Sequence, residues 1–188
     1  MSPEQPALAP RFQHSIPQGD DRERRVCDHC GFIDYENPRI IVGSVAIRDG
    51  RVLLCRRAIE PRKGHWTLPA GFMEQGESPA EGARREAWEE ARAKLEIDQL
   101  LGVYSVPHIG HVQLIYRARL LDDPIAPGPE SQEVGLFAFD QLPPTLAFPS
   151  VTWTLQHYLE TCDQTDFAPR SAPQNGPEAG NSTRKVGL

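Results

Sequence analysis

Within the run GFMEQGESPAEGARREAWEEARA, residues 71–93, three acids stand at spacings that gather them on one side of a helix: Glu86, Glu89 and Glu90. Residues three and four apart are neighbours on an α-helix, and like charges so placed repel. A cation relieves that repulsion. Hard divalent ions such as magnesium or manganese take oxygen ligands, usually a carboxylate or two completed by substrate phosphates and water. The competing reading is a solvated acidic helix face, common where Glu runs adjoin Arg and Lys.

The helix that must hold these acids is well marked. Ser78 suits the N-cap, Pro79 the first helical position, and Glu81 completes a capping box with Ser78. Ala80, Ala83, Ala87 and Ala91 recur at three- and four-residue intervals and form a stripe of small side chains suited to close packing on a sheet. Ahead of the helix, Trp66, Pro69, Gly71 and Gly76 predict a tight loop that brings backbone carbonyls and Glu77 to the same end. Loop and helix together make a metal site, with Glu86 and Glu90 as direct ligands, Glu89 joining them, and the carbonyl of Ala70 or Gly71 adding an oxygen.

The segment resembles the box motif of the Nudix hydrolases: Gly71, Glu77, Arg85, Glu86, Ala87, Glu89, Glu90 and Ala93 fall in register with it. Arg92 stands where that motif has glycine. A glycine there would end the helix in a left-handed conformation, so the departure concerns the helix end and not the acids. The resemblance implies an α/β class, an α/β/α sandwich with a mixed sheet over residues 39–161, and hydrolysis of a pyrophosphate bond with Mg2+ or Mn2+ as cofactor. It also implies that Arg85 and Glu77 form an ion pair that supports the site structurally.

Nudix enzymes draw their general base from different places. Glu133, in PESQEVGLF, is the candidate outside the box and Glu130 the reserve, and Glu86 is an alternative within it. The runs LCRRAIEPRKGHWTLPAGFMEQGE and IAPGPESQEVGLFAFD resemble a subgroup that includes ADP-ribose and FAD pyrophosphatases. Its enzymes make AMP with ribose 5-phosphate, or AMP with FMN. Pro107, in YSVPHIG, lies near the place where ADP-ribose pyrophosphatases carry a proline, whereas the signature of NADH pyrophosphatases does not follow the box. Arg56 and Arg57 are candidates to clamp phosphate, and Phe72, Tyr104 or His108 to stack on adenine. The contrasting class is a non-catalytic Nudix-like module that binds a nucleotide as a regulatory ligand, although such a module has no need of the three acids.

Length and charge fit this picture. The 188 residues form one domain with appendages, and a net charge of −6 argues against a general nucleic-acid binder. The start MSPEQPALAP has neither a basic n-region nor an apolar h-region, and no stretch is apolar enough to span a bilayer, so the expectation is a cytoplasmic protein without membrane partners. By resemblance to enzymes that are often dimers, a homodimer is an open expectation. Residues 1–38 read as a leader resembling the zinc ribbon that precedes some Nudix domains. Its Cys27 and Cys30 form one C-x-x-C, but structural zinc wants four ligands and no second pair exists. The expectation is a metal-free vestige of a zinc knuckle, with His14 and His29 the other candidates to complete a Zn2+ site. A nucleic-acid module built on the leader would need those missing ligands.

Arg39–Arg48 and Arg51–Arg57 predict a hairpin turned by Asp49-Gly50. Further strands are predicted at 97–106, 111–121 and 133–139, then a final amphipathic helix capped by Ser150 with Val151, Leu155 and Leu159 on its apolar face. From residue 162 the Pro-, Gly- and Ser-rich composition predicts a disordered tail to residue 188.

Overall fold

A computed structural model describes residues 11–173, which fall into two compact units, one ending at Pro38 and one beginning at Arg39. The first is a three-stranded antiparallel sheet of β1 (Phe12–Ser15), β2 (Arg24–Cys27) and β3 (Ile33–Asp34). Its turn after β2 is closed by Gly31 N–H on the Cys27 carbonyl and Cys27 N–H on the Phe32 carbonyl, at 2.9 and 2.8 Å. Gly31 there has φ of 74°, a conformation that favours glycine. Amide groups of Cys30 and His29 aimed at the Cys27 sulfur hold its thiol below the ordinary range. Among the described residues, however, no third His, Cys, Asp or Glu joins Cys27 and Cys30 in a metal cage.

The second unit contains β4 (Arg39–Arg48), β5 (Arg51–Arg57), β6 (Trp66–Thr67), β7 (Ala70–Phe72), α1 (Pro79–Ala91), β8 (Leu95–Val106), β9 (His111–Leu120), β10 (Ser131–Ala138), α2 (Pro149–Thr161) and β11 (Arg170–Ser171). The strand order is β10-β5-β4-β9-β8-β11, with β6 beside β5 and β7 beside β4. The sheet is mixed, since β4 runs parallel to β9 and β8 parallel to β11 while the other pairs are antiparallel. Alternation along the strands divides the core. Val45, Val52 and Leu54 face a cluster with Val151 and Leu155 of α2, whereas Ala46, Leu53 and Cys55 face one with Ala87 and Ala91 of α1. Helices therefore cover opposite faces, the α/β/α sandwich expected. No described helix is long and apolar enough to cross a membrane.

Several boundaries follow local chemistry. The β4–β5 hairpin turns at Asp49 and Gly50, whose φ values of 52° and 70° both lie in the left-handed region that a two-residue turn requires. Ser78 caps α1 with the full capping box to Glu81. Three expectations are corrected. Phe148, not Ser150, is the N-cap of α2, because Pro149 takes the first helical position and holds the residue before it extended. Leu159 is 54% exposed: at ~100° per residue it has rotated about 80° from Val151, off the packed stripe. Trp66 is not part of the loop before α1 but is buried in the α2-side core, edge-on to Phe137 at 4.8 Å.

The segment after α2 is ordered through residue 173 instead of disordered from 162. Phe167 is buried in the α2-side core and β11 pairs with β8. One large apolar side chain, the Arg117 bonds to the Thr161 and Gln164 carbonyls, and an open strand edge fix it. The remainder of the predicted tail, residues 174–188, lies outside the described residues.

The helix end questioned by Arg92 is sharp. Arg92 adopts the left-handed conformation itself, at φ 52° and ψ 25°. Its N–H meets the Trp88 carbonyl at 2.9 Å, the bond of an αL closure, and the Ala93 N–H reaches the Ala87 carbonyl at 3.1 Å. The guanidinium packs over the Trp88 ring at 5.6 Å. Relief of left-handed strain, ~1–2 kcal/mol, outweighs loss of an exposed cation–π contact, ~0.5–1 kcal/mol. Arg92→Gly is therefore expected to raise the thermal midpoint by about 1–3 °C in differential scanning calorimetry. A lowered midpoint would show that the packing on Trp88 outweighs the strain.

Candidate active site

Strand β7 lays Ala70 and Gly71 across from Gly43 and Val42 of β4, which places its backbone beside α1. The approach is close. A Cβ on Gly71 would fall 2.5 Å from the carboxyl carbon of Glu86, so only glycine lets the acid reach this backbone. One turn later, Glu90 Oε2 accepts a hydrogen bond from the Ala70 N–H at 3.3 Å. Two successive turns of α1 thus press carboxylates against one short strand.

A single arginine organises the rest. Arg85 grips Glu77 with two hydrogen bonds, Nε to Oε2 at 2.9 Å and Nη2 to Oε1 at 2.8 Å, and Nη2 also donates to the Phe72 carbonyl at 3.0 Å. Its Nη1 reaches Glu86 at 2.6 Å and Glu89 at 2.9 Å. Such forked charge-assisted contacts are strong and directional. Arg85 therefore ties β7, the loop at Glu77 and the acids Glu86 and Glu89 of α1 into one unit. The Glu74 N–H adds a bond to Glu77 at 2.7 Å.

This pair carries a pH signature. Arg85 first, and the Glu74 amide second, hold the Glu77 carboxyl down at about 2, against an ordinary 4.5. A depressed carboxylate contributes stability that is fully present above pH 4.5 and is lost as pH falls through about 2. Glu77→Gln is expected to lower the thermal midpoint at pH 7, with the gap to wild type narrowing as pH falls below about 4.5. A gap of constant size across pH 7 to 3 would contradict this.

Glu86 and Glu90 are 8% and 7% exposed. Burial pushes the Glu86 carboxyl up despite Arg85. Burial, and then the neighbouring Glu86, push Glu90 up to about 8. A buried acid with one hydrogen bond and an acidic neighbour lacks counter-charge. Among the described residues no three His, Cys, Asp or Glu side chains form a cage, and Arg85 Nη1 bonds both Glu86 and Glu89. The donor set nonetheless fits a hard divalent ion: carboxylates and backbone carbonyls, no sulfur, and a desolvated Glu90 short of positive charge. Glu86, Glu89, Glu90 and the Gly71 carbonyl are the residues that would hold it.

The acids open into a cavity of about 1150 Å³, above the ~300–1,000 Å³ common for small-molecule sites. Of the predicted substrate contacts, Arg57, Phe72 and His108 line it. Arg57 is held by Nε on the Pro61 carbonyl at 2.8 Å and lies over the Phe148 ring at 5.3 Å. Phe72 sits edge-on to His111 at 5.5 Å, and His108 is exposed on the turn Pro107–Ile109 after β8.

Three expectations change. Arg56 does not line the cavity. Successive strand residues face opposite ways, and Arg56 instead donates to the Gly64 carbonyl at 3.0 Å and pairs with Glu133 at 3.6 Å. Glu133, expected as base, is correspondingly outside the cavity with its side chain 58% exposed. Its reserve Glu130 does line the cavity and adds negative potential at both Glu86 and Glu90. Tyr104 is fully buried and hydrogen-bonded to His157 Nδ1 at 2.9 Å, so it is a core residue and not a stacking platform. The aromatic groups that sequence reasoning missed are Phe148 and Trp153. The available signal was Trp153's position off the Val151/Leu155 stripe of α2.

Comparison with known proteins points to one family. Residues 37–157 match the NUDIX domain family and residues 9–36 the Nudix N-terminal family of zinc-ribbon type. A Nudix hydrolase structure from Nitrosomonas europaea is 43% identical with a TM-score of 0.81, covering 88% of this chain and 96% of that one. An ADP-ribose pyrophosphatase of Methanocaldococcus jannaschii is 34% identical over 118 residues, 61% of this chain and 69% of that protein. An NAD-capped RNA hydrolase NudC of Chromobacterium violaceum is 34% identical over 125 residues, 65% of this chain and 46% of that protein. The chain thus spans about half to two thirds of the length of such curated relatives.

Proposed function

The chain belongs to the Nudix hydrolase family, and from that membership we propose that it hydrolyses the diphosphate bond of a nucleoside diphosphate linked to a second moiety, ADP-ribose first and FAD next. The observation that carries the proposal is the pair of buried acids Glu86 and Glu90 opening into a cavity large enough for a dinucleotide-sized substrate. A divalent ion held there, magnesium by preference, would neutralise diphosphate oxygens and activate an attacking water. Glu130 faces the same cavity and is assigned to take the proton of that water as it attacks phosphorus. The bridging P–O bond breaks, and ADP-ribose yields AMP and ribose 5-phosphate. Arg57 offers positive charge to the phosphates, and Phe148 and Trp153 offer faces for a planar ring.

ADP-ribose is placed first because Pro107 and His108 beyond the box line the cavity, and because the relatives include named ADP-ribose pyrophosphatases. Relatives named NAD-capped RNA hydrolase keep NAD-type substrates in the panel. The test is phosphate release from ADP-ribose, FAD and NADH with a coupled phosphatase at fixed magnesium, with and without EDTA. Release that EDTA abolishes is the expected result. Tight ADP-ribose binding with no turnover of any substrate would replace the enzyme with a nucleotide-binding module.

A further inference from the structure

The matched Nudix domain ends at residue 157, yet the chain beyond it is built into the second unit. Phe167 packs among Leu101, Val151 and Leu155, and its carbonyl accepts from Gln99 Nε2 at 2.8 Å. Arg117 Nη1 donates to the Thr161 and Gln164 carbonyls at 2.8 and 2.9 Å, and its guanidinium lies 4.6 Å from the Phe167 ring centre. One arginine therefore fixes this arm at residues 161, 164 and 167. Three residues on, β11 adds to the edge of β8, Arg170 opposite Gly102 and Ser171 opposite Val103.

The direction of that pairing matters. Because β11 runs parallel to β8, the arm advances alongside β8 toward Ser105 and Val106, both of which line the active-site cavity. Ala172 and Pro173 accordingly line the same cavity, with Trp153. Neither side chain can supply a proton, a charge or a metal ligand. What they supply is shape.

We infer that the C-terminal arm is a specificity-determining wall of the substrate site, in which Ala172 and Pro173 together with Trp153 receive the planar ring or sugar attached beyond the diphosphate. The inference rests on the diphosphate-hydrolase reading above. Anchoring by Phe167, Arg117 and the pairing of β11 holds the arm up to Ser171 beside the cavity, so a change of side-chain volume at Ala172 alters fit directly and leaves the acids of α1 in place.

The test uses the full chain carrying Ala172→Trp, assayed with ADP-ribose and FAD at fixed magnesium, with AMP and ribose 5-phosphate as product inhibitors. The expected result is a KM for ADP-ribose raised about tenfold or more with kcat within about twofold, and inhibition by one product weakened while the other is unchanged. An unchanged KM for both substrates with both inhibition constants unchanged overturns the inference. Should Ala172→Trp not fold, as read by its thermal transition, Ala172→Val is held to the same criteria at a severalfold effect. Calorimetric titration of AMP separates the two readings. A wild type without turnover whose AMP binding is still weakened by Ala172→Trp sinks the hydrolase reading and leaves the wall. A wild type with neither turnover nor AMP binding sinks both.

Discussion

Glu90→Gln is expected to lower kcat for ADP-ribose about a thousandfold at saturating magnesium while leaving the fold intact. The acid sits on the last full turn of α1, nearly buried, with one hydrogen bond from the Ala70 amide. A glutamine side-chain oxygen can accept that same bond, so packing is conserved and only the charge that would meet the metal is lost. Stability should move the other way. Burial pushes the Glu90 carboxyl up to about 8 from an ordinary 4.5. For a raised carboxylate the stabilising proton is fully bound below pH 4.5 and is lost as pH rises through about 8, so the metal-free wild type weakens over that interval. The metal-free glutamine variant has no such titration. Its thermal midpoint is expected to exceed that of wild type at pH 8, with the difference gone near pH 4.5. Unchanged turnover would remove Glu90 from the metal site, and a wild type no less stable than the variant at pH 8 would show that its burial is not costly.

The parts of this molecule legible in sequence are those decided by neighbouring residues. Ser78, Pro79 and Glu81 determine where α1 begins by capping chemistry contained in four residues. Asp49-Gly50 determines the β4–β5 turn because few other pairs accept two left-handed φ angles. The spacing of Glu86 and Glu90 on α1 was readable for the same reason. The cavity walls were not, because they depend on register and on contacts between distant segments. Arg56 and Arg57 are chemically identical, and only strand parity sends Arg57 into the cavity and Arg56 toward Glu133. The same parity buries Tyr104 and leaves Ser105 at the cavity. Composition alone placed the segment after α2 in a tail. Its order comes from one phenylalanine, one distant arginine and backbone pairing to a strand more than sixty residues earlier, about which local composition is silent.

The choice between Glu130 and Glu133 turns on how their loop is anchored. The four last carbonyls of a helix need partners from outside it, and for α1 this loop provides two: Ala126 N–H meets the Ala91 carbonyl at 3.0 Å and Gly128 N–H the Glu90 carbonyl at 2.9 Å. Gly128 packs so closely that a Cβ there would drive into the Glu89 carbonyl, with the Glu89 carbonyl carbon only 2.8 Å away. The loop is thus docked on the very turn that bears Glu89 and Glu90, and two residues later Glu130 enters the cavity. A register shift between Ser131 and Glu133 then starts β10, and Glu133 pairs across the ladder with Arg56 instead. Glu130→Gln is accordingly expected to lower kcat for ADP-ribose by about a hundredfold or more, the usual contribution of a positioned base, with KM and the half-saturating magnesium concentration nearly unchanged. Glu133→Gln should stay within about twofold of wild type, since it gives up only an exposed ion pair. The reverse ranking in steady-state assays would return the proton transfer to Glu133 and require β10 to shift when substrate binds. A fall in magnesium affinity with Glu130→Gln, with kcat restored at high magnesium, would make Glu130 a metal ligand and leave the base to Glu86.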